Sequence, residues 1–265
     1  MKAIHRVLTL LIVMITSFSG TCQTKKNTTI KTEPKSSKKY LGFDGLGANY
    51  FLDNNLLQKQ DDTNKWEYKN IELGSISSVD FINPMTVLVF YQNFNTVILL
   101  DNQLNEIRKI NFSEIDSPQV ANKIGIAAQN KIWVYTETPS QISLFDYTKS
   151  INLSIWLPLM ESVLYTQTDF NYFYWIDVNY NWYKMDFFGK TQLIANIPLF
   201  DTIQIVDENH IIYQKNKSIY CLDNKTKTGV ELKNVEKSFD SFYYKDQILS
   251  IFTDQQIKKY KIKLP

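Results

Sequence analysis

From Tyr40 onward the chain is written in short runs of alternating apolar and polar residues, separated by polar turns. In KIWVYTE (Lys131 to Glu137), Ile132, Val134 and Thr136 fall on one side, and Trp133 and Tyr135 on the other. That period of two predicts strands. The runs recur in a larger unit of about forty residues. Ser77–Phe112, Asn122–Ile155 and Asp201–Asn234 each hold a short strand, a turn, and a β-branched and aromatic strand. A polar turn, a third strand ending in Asp, another turn and a fourth strand follow. Four short strands per unit of this length predict an all-β chain folded as a β-propeller. Full blades start near residues 76, 122, 162 and 201, a shorter one runs from about 239 to 265, and an N-terminal one covers 40–73. Six blades result; five, with 40–73 merely closing the ring, is the alternative. The last blade is short of its outer strand, and NTTIKTE (Asn27 to Glu33) is the candidate donor.

The residue that ends the third strand is Asp in LLDN (Asp101), LFDY (Asp146), KMDF (Asp186) and CLDN (Asp223). A carboxylate there can accept backbone N–H groups two residues on and start a tight turn. These four are therefore expected to be structural turn residues rather than metal ligands. The pattern Val97-x-Leu99-x-Asp101, repeated as Ile142-x-Leu144-x-Asp146 and Ile219-x-Cys221-x-Asp223, resembles repeats of the YVTN and NHL type. Cys221 takes an apolar place in it, which predicts a buried thiol.

The first residues follow a different rule. Lys2 and Arg6 precede VLTLLIVMI (Val7 to Ile15), an apolar run too short to span a bilayer as a helix, and small polar residues come next. Residues 1–21 are thus expected to be a signal peptide. Ser19-Gly20-Thr21-Cys22 resembles the lipobox of bacterial lipoproteins, with Ser19 and Thr21 departing from the commoner residues. That resemblance implies a lipid attachment at Cys22 and a membrane partner; cleavage nearby without acylation, or a disulfide to Cys221, are the alternatives. Residues 22–39 read as the anchor cysteine and a basic, flexible linker, and 40–265 as the propeller. The relaxed lipobox, the Asn-, Ile-, Lys- and Tyr-rich composition and the stretch Ser78–Ile107 together resemble uncharacterised exported propellers of Bacteroidetes, flavobacterial in type. Surface-exposed lipoproteins of that group are similar in carrying an acidic run after the cysteine, and Gln23-Thr24-Lys25-Lys26 departs from it, so the resemblance implies the periplasmic face of the outer membrane, with the cell surface or a soluble secreted form as alternatives.

Charge separates along the chain. The leader and linker hold eight of the 29 basic residues and one of the 27 acidic ones, which leaves residues 40–265 at −5. A body of that sign does not attract a polyphosphate, so nucleic acid is not expected as a partner. Chemistry is thin as well. His5 leaves with the leader, so His210, in the DENH turn, is the one histidine of the mature chain. With Cys221 it makes no ordinary zinc set, and no nucleophile elbow or phosphate-binding loop is present. Neither a metal nor another cofactor is expected. Asp61-Asp62 reads as a solvated acidic turn. The aromatic stretch Asn171–Phe188 is expected to be core, with a ligand platform as the alternative.

Turns between second and third strands share one rim of a propeller. Tyr91, Phe94, Pro139 and Tyr180 fall in such turns and form a candidate rim for protein contact. The sequence therefore points to a non-enzymatic envelope lipoprotein, a protein-binding or scaffold subunit, with an outer-membrane complex as one setting. A small-ligand or glycan binder using the central funnel is the second reading. An enzyme built from funnel carboxylates and tyrosines is the third.

Overall fold

VLVFY (Val87–Tyr91) has no polar position because both faces of its sheet are covered. Val87, Val89 and Tyr91 pack with Tyr50 and Leu57 of the preceding sheet, while Leu88 and Phe90 pack with Ile132, Val134 and Phe145 of the following one. The structure, a computed structural model, describes residues 28–34, 38–253 and 256–264. They form a six-bladed β-propeller of four-stranded antiparallel sheets, with one short 3-10 turn at Gln92–Phe94.

The first strand, β1 (Thr28–Pro34), belongs to the last blade. Blade 1 is β2 (Lys39–Phe43), β3 (Asn49–Asp53), β4 (Leu56–Gln60) and β5 (Lys65–Lys69). Blade 2 is β6 (Ser78–Asp80), β7 (Val87–Tyr91), β8 (Thr96–Leu100) and β9 (Glu106–Asn111). Blade 3 is β10 (Lys123–Ala127), β11 (Lys131–Glu137), β12 (Ser140–Asp146) and β13 (Ile151–Ile155). Blade 4 is β14 (Val163–Thr168), β15 (Tyr172–Asp177), β16 (Asn181–Asp186) and β17 (Thr191–Asn196). Blade 5 is β18 (Thr202–Ile205), β19 (His210–Lys215), β20 (Ser218–Asp223) and β21 (Thr228–Glu231). Blade 6 is β22 (Ser241–Lys245), β23 (Ile248–Phe252), β24 (Gln256–Lys261) and, outermost, β1. The stretch 22–39 is accordingly not all linker, since 28–34 closes the ring. Residues 1–27, Cys22 among them, lie outside the described residues.

Five third strands lead into an Asp turn. The Oδ1 atoms of Asp101, Asp146, Asp186 and Asp223 each accept the N–H two residues on, at 2.8–2.9 Å. Asp61 of blade 1 does the same with Thr63 at 2.8 Å. Asp146 and Asp223 stand opposite the first residues of β11 and β19, and the matching place in β24 is Lys261, opposite Ile248. Blade 6 does without the carboxylate because its third and fourth strands come from opposite ends of the chain and need no turn.

These turns set an acid limit. At Asp101 and Asp146 partial desolvation pushes the carboxyl up, but the hydrogen bonds donated to it outweigh that and hold it below the ordinary range. At Asp223 the Thr226 hydroxyl is the main cause of the same lowering. A carboxylate depressed in the folded state stabilises the fold above its unfolded pKa, and that contribution is lost as pH falls through the folded value. The thermal midpoint should hold down to about pH 5 and drop below about pH 4. Asp146→Asn should flatten that drop; a midpoint that rises on acidification would contradict the account.

Candidate functional site

The innermost strands place one equivalent position per blade beside the central channel: Gly42, Asp80, Gly125, Gln167, Gln204 and Tyr243. Three of these residues, Asp80, Gln167 and Gln204, stitch their blade to the next. Asp80 accepts the Ile126 N–H at 2.8 Å. Gln167 accepts the Ile205 N–H at 3.0 Å and donates to its C=O at 2.6 Å. Gln204 does the same with Tyr244, at 2.7 Å each way. The two glycines are the places where a neighbour comes too close for a side chain. A Cβ on Gly125 would lie 1.9 Å from Thr168 Oγ1, and one on Gly42, at φ +143°, would lie 2.9 Å from the Tyr243 ring.

One mouth of the channel opens as a cavity of about 670 Å³ lined by Asp80, Asp169, Asp207, Tyr174 and Tyr243, among others. Two of its carboxylates, Asp169 and Asp207, are engaged by their own turns. Asp169 accepts the Asn171 and Tyr172 N–H groups at 2.7 Å and the Tyr174 hydroxyl at 2.9 Å. Asp207 accepts the Asn209 and His210 N–H groups and lies 2.9 Å from His210 Nδ1. Burial drives the hydroxyls of Tyr165, Tyr174 and Tyr243 far above the ordinary tyrosine value, so they stay protonated at neutral pH. Tyr165 also lines a smaller cavity of about 340 Å³ among residues of blades 2, 3 and 4. The funnel thus offers Asp169 and Asp207 in turns, hydroxyls that hold protons, Asp246 and Lys245, and a buried Asp80 whose carboxyl burial pushes above the ordinary range against the Ile82 and Ile126 N–H groups it accepts.

A different surface is left unfinished by the fold. The connection from β13 to β14, Trp156 to Ser162, leads from the outermost strand of blade 3 to the innermost strand of blade 4. It is pinned to blade 3 by Leu159 N–H to Ser140 C=O at 2.7 Å and by the Gln141 side chain on Trp156 C=O. It is pinned to blade 4 by Val178 N–H to Ser162 C=O at 3.0 Å. The Trp156 indole packs beside buried Trp133 and against Gly189, where a Cβ would come within 2.1 Å of Nε1. Between this connection and blade 4 lies a cleft of about 380 Å³ walled by Trp156, Trp175 and Tyr183. Trp175 and Tyr183 are stacked, with ring centroids 5.0 Å apart. Leu157 and Met160, which line it, are 86 and 97% exposed, and Phe188, next in sequence to the lining residue Gly189, is 92% exposed. Exposed large apolar side chains beside an aromatic cleft make this a candidate docking surface.

The predicted rim is placed as follows. Pro139 is exposed, in the turn that leads to Ser140. Tyr180 is half-buried against Phe200, in the turn that follows Asp177. Neither residue lines the cleft, and Tyr180 packs with the cluster between blades 4 and 5. Phe94 is 48% exposed on blade 2, over Gly74. Tyr91 is a correction: it is fully buried, because it continues the Val87–Val89 row between blades 1 and 2, where Leu73 and Ile76 cover it. Cys221 is buried among the strands, and burial pushes its thiol up to about 12. Within Asn171–Phe188, Phe173 to Asp177 are all buried, yet Trp175 and Tyr183 keep a face on the cleft. Trp156, Leu157, Met160 and Glu161 were not singled out by the sequence, since they lie in a connection with no repeat pattern.

No protein-family model matches the chain, and no curated protein does. Solved structures do. The chain is similar to virginiamycin B lyase from Staphylococcus aureus, at 11% identity and a TM-score of 0.57, over 84% of this chain and 80% of that one. It is similar to a streptogramin B lyase at 11% identity and a TM-score of 0.56, over 88% and 98%. It is also similar to the β-propeller domain of Cps50 (Swd1) from Myceliophteria thermophila, at 9% identity and a TM-score of 0.58, over 89% and 100%. At such identity the likeness establishes the propeller fold alone.

Proposed function

We propose that this protein is an exported, lipid-anchored propeller that binds a protein partner in the bacterial envelope. The observation that carries the binding role is the cleft between blades 3 and 4, with Leu157 and Met160 exposed along it and Phe188 exposed next to the lining residue Gly189. A surface of this kind gains free energy when a partner removes it from water, at roughly 25 cal/mol per Å² of apolar area. The address rests on the leader and on the Cys22 context, which favour the periplasmic face of the outer membrane. The similar structures carry names of lyases and of a Swd1 domain, and a shared propeller does not choose among such roles. In the funnel, the engagement of Asp169 and Asp207 by their own turns and the protonated tyrosines support binding over acid–base chemistry.

Two substitutions separate the address from the binding role. Cys22→Ala should move the protein from the membrane to the soluble fraction, and intact mass of the wild type should show acylation at Cys22. Continued membrane association of the variant would refute the anchor. Leu157→Asp combined with Met160→Asp, both at exposed positions, should leave the thermal midpoint within about 2 °C. That variant should lose whatever co-purifies with the wild type from mildly solubilised membranes. A wild type that always migrates alone would count against the binding role.

A further inference from the structure

The cleft between blades 3 and 4 is selective in its chemistry. Its walls are aromatic, and the only charged side chains among its lining residues are the carboxylates Glu161 and Asp177, with exposed Lys190 next in sequence to the lining residues Gly189 and Thr191. Glu161 is exposed, and among the described residues neither carboxylate is in an ion pair. Asp177 is buried and accepts the Asn179 and Asn181 N–H groups at 2.8 and 2.9 Å and the Asn181 Nδ2 at 3.1 Å, which hold its carboxyl group in place. Burial is the main cause that pushes the Tyr183 hydroxyl up, and the charge and hydrogen bond of Asp177 and the charge of Glu161 add to it. An anion would be repelled there, and a purely apolar occupant would cover negative charge without neutralising it.

We infer that this cleft holds the guanidinium of an arginine from the docking partner, with apolar neighbours of that arginine resting on Leu157, Met160 and Phe188. The inference rests on the protein-binding reading and names what that surface takes. A cation over an aromatic face is attracted by the ring's quadrupole, most strongly over tryptophan. Arginine fits better than lysine because its planar, weakly hydrated head can stack on the Trp175–Tyr183 pair while its N–H edge faces a carboxylate. Glu161 is the residue that supplies that carboxylate. It is exposed, and its side chain can turn toward the entering group.

The test uses the full mature chain and two probes, acetyl-Leu-Arg-Leu-amide and acetyl-Leu-citrulline-Leu-amide. They differ only in that citrulline is a neutral isostere of arginine. Titration calorimetry at low salt should give the arginine peptide about tenfold tighter binding, as expected for a cation–π contact supported by one carboxylate. Glu161→Gln, a change at an exposed position that leaves the walls intact, should cut that ratio to about threefold or less. Salt near 0.5 M should narrow the ratio in the wild type too. Equal binding of the two peptides, or a ratio unmoved by Glu161→Gln, would overturn the inference. If the peptides bind equally while the Leu157→Asp, Met160→Asp variant still loses its partner, the docking surface stands and the arginine is wrong. If the ratio holds while that variant keeps its partner, the arginine site stands and the partner docks elsewhere.

Discussion

Gly125→Ala should cost the fold about 3 kcal/mol, at the upper end of what overpacking usually costs. For a domain of this size that lowers the thermal midpoint by roughly 10 °C. The cause is local. A methyl at Gly125 would sit 1.9 Å from Thr168 Oγ1 and 2.7 Å from its Cβ, and both residues lie on innermost strands that neighbouring blades hold in place. In blades 2, 4 and 5 the same position is filled by Asp80, Gln167 and Gln204, each of which reaches the next blade through a hydrogen bond. Between blades 3 and 4 the backbone of Gly125 lies directly against the Thr168 side chain instead. Thr168→Gly should therefore rescue the alanine variant to some degree, so that the double variant is less damaged than the sum of the two singles. Strictly additive losses would show that the clash is relieved by some other movement.

Removal of residues up to and including Pro34 should be at least as damaging. β1 pairs with β24 through six partners, from Thr28 with Lys261 to Pro34 with Gln256. The side chains of Thr29 to Thr32 are exposed, so the strand contributes its backbone ladder far more than apolar burial. At about 0.5–1.5 kcal/mol for each net hydrogen bond, the loss amounts to several kcal/mol. It also bares the edge of β24, a ready template for pairing with another chain. We expect the truncated protein to melt more than 10 °C lower, at roughly 2–4 °C per kcal/mol, and to aggregate on concentration. A synthetic peptide spanning residues 28–34, added in excess, should restore some of the loss by mass action. An unchanged midpoint in the truncated chain would rule out the role given to this strand.

What the chain discloses to a reader follows from what is repeated in it. Asp101, Asp146, Asp186 and Asp223 are legible because one backbone turn asks for one side chain, over and over. Asp61 escaped that series because its strand, LLQKQ (Leu56–Gln60), lacks the alternating apolar pair of the others. The ring closure was legible too, as a missing strand at one end and a spare β-prone segment at the other. The channel positions were not, since Gly42, Asp80, Gly125, Gln167, Gln204 and Tyr243 share a place and no chemistry. Tyr91 was misplaced because the end of a strand looks like a turn until the neighbouring blade is seen to cover it. The cleft was hidden for the opposite reason. Trp156 to Ser162 is the one stretch of that region outside the repeat, and its partners Trp175 and Tyr183 look like core from their periodicity alone.

The closing strand has a mechanical side. Any load that reaches the domain through the segment before Thr28 enters at the Thr28–Lys261 end of the β1–β24 ladder. Drawn along the strand axis, its six pairs share the load in shear and must slip together. Drawn away from the disc, they separate in sequence, beginning at Thr28, each rupture passing the force to the next pair. The propeller thus has a stiff direction and a weak one, and the angle at which it is held sets the tension at which the ring opens.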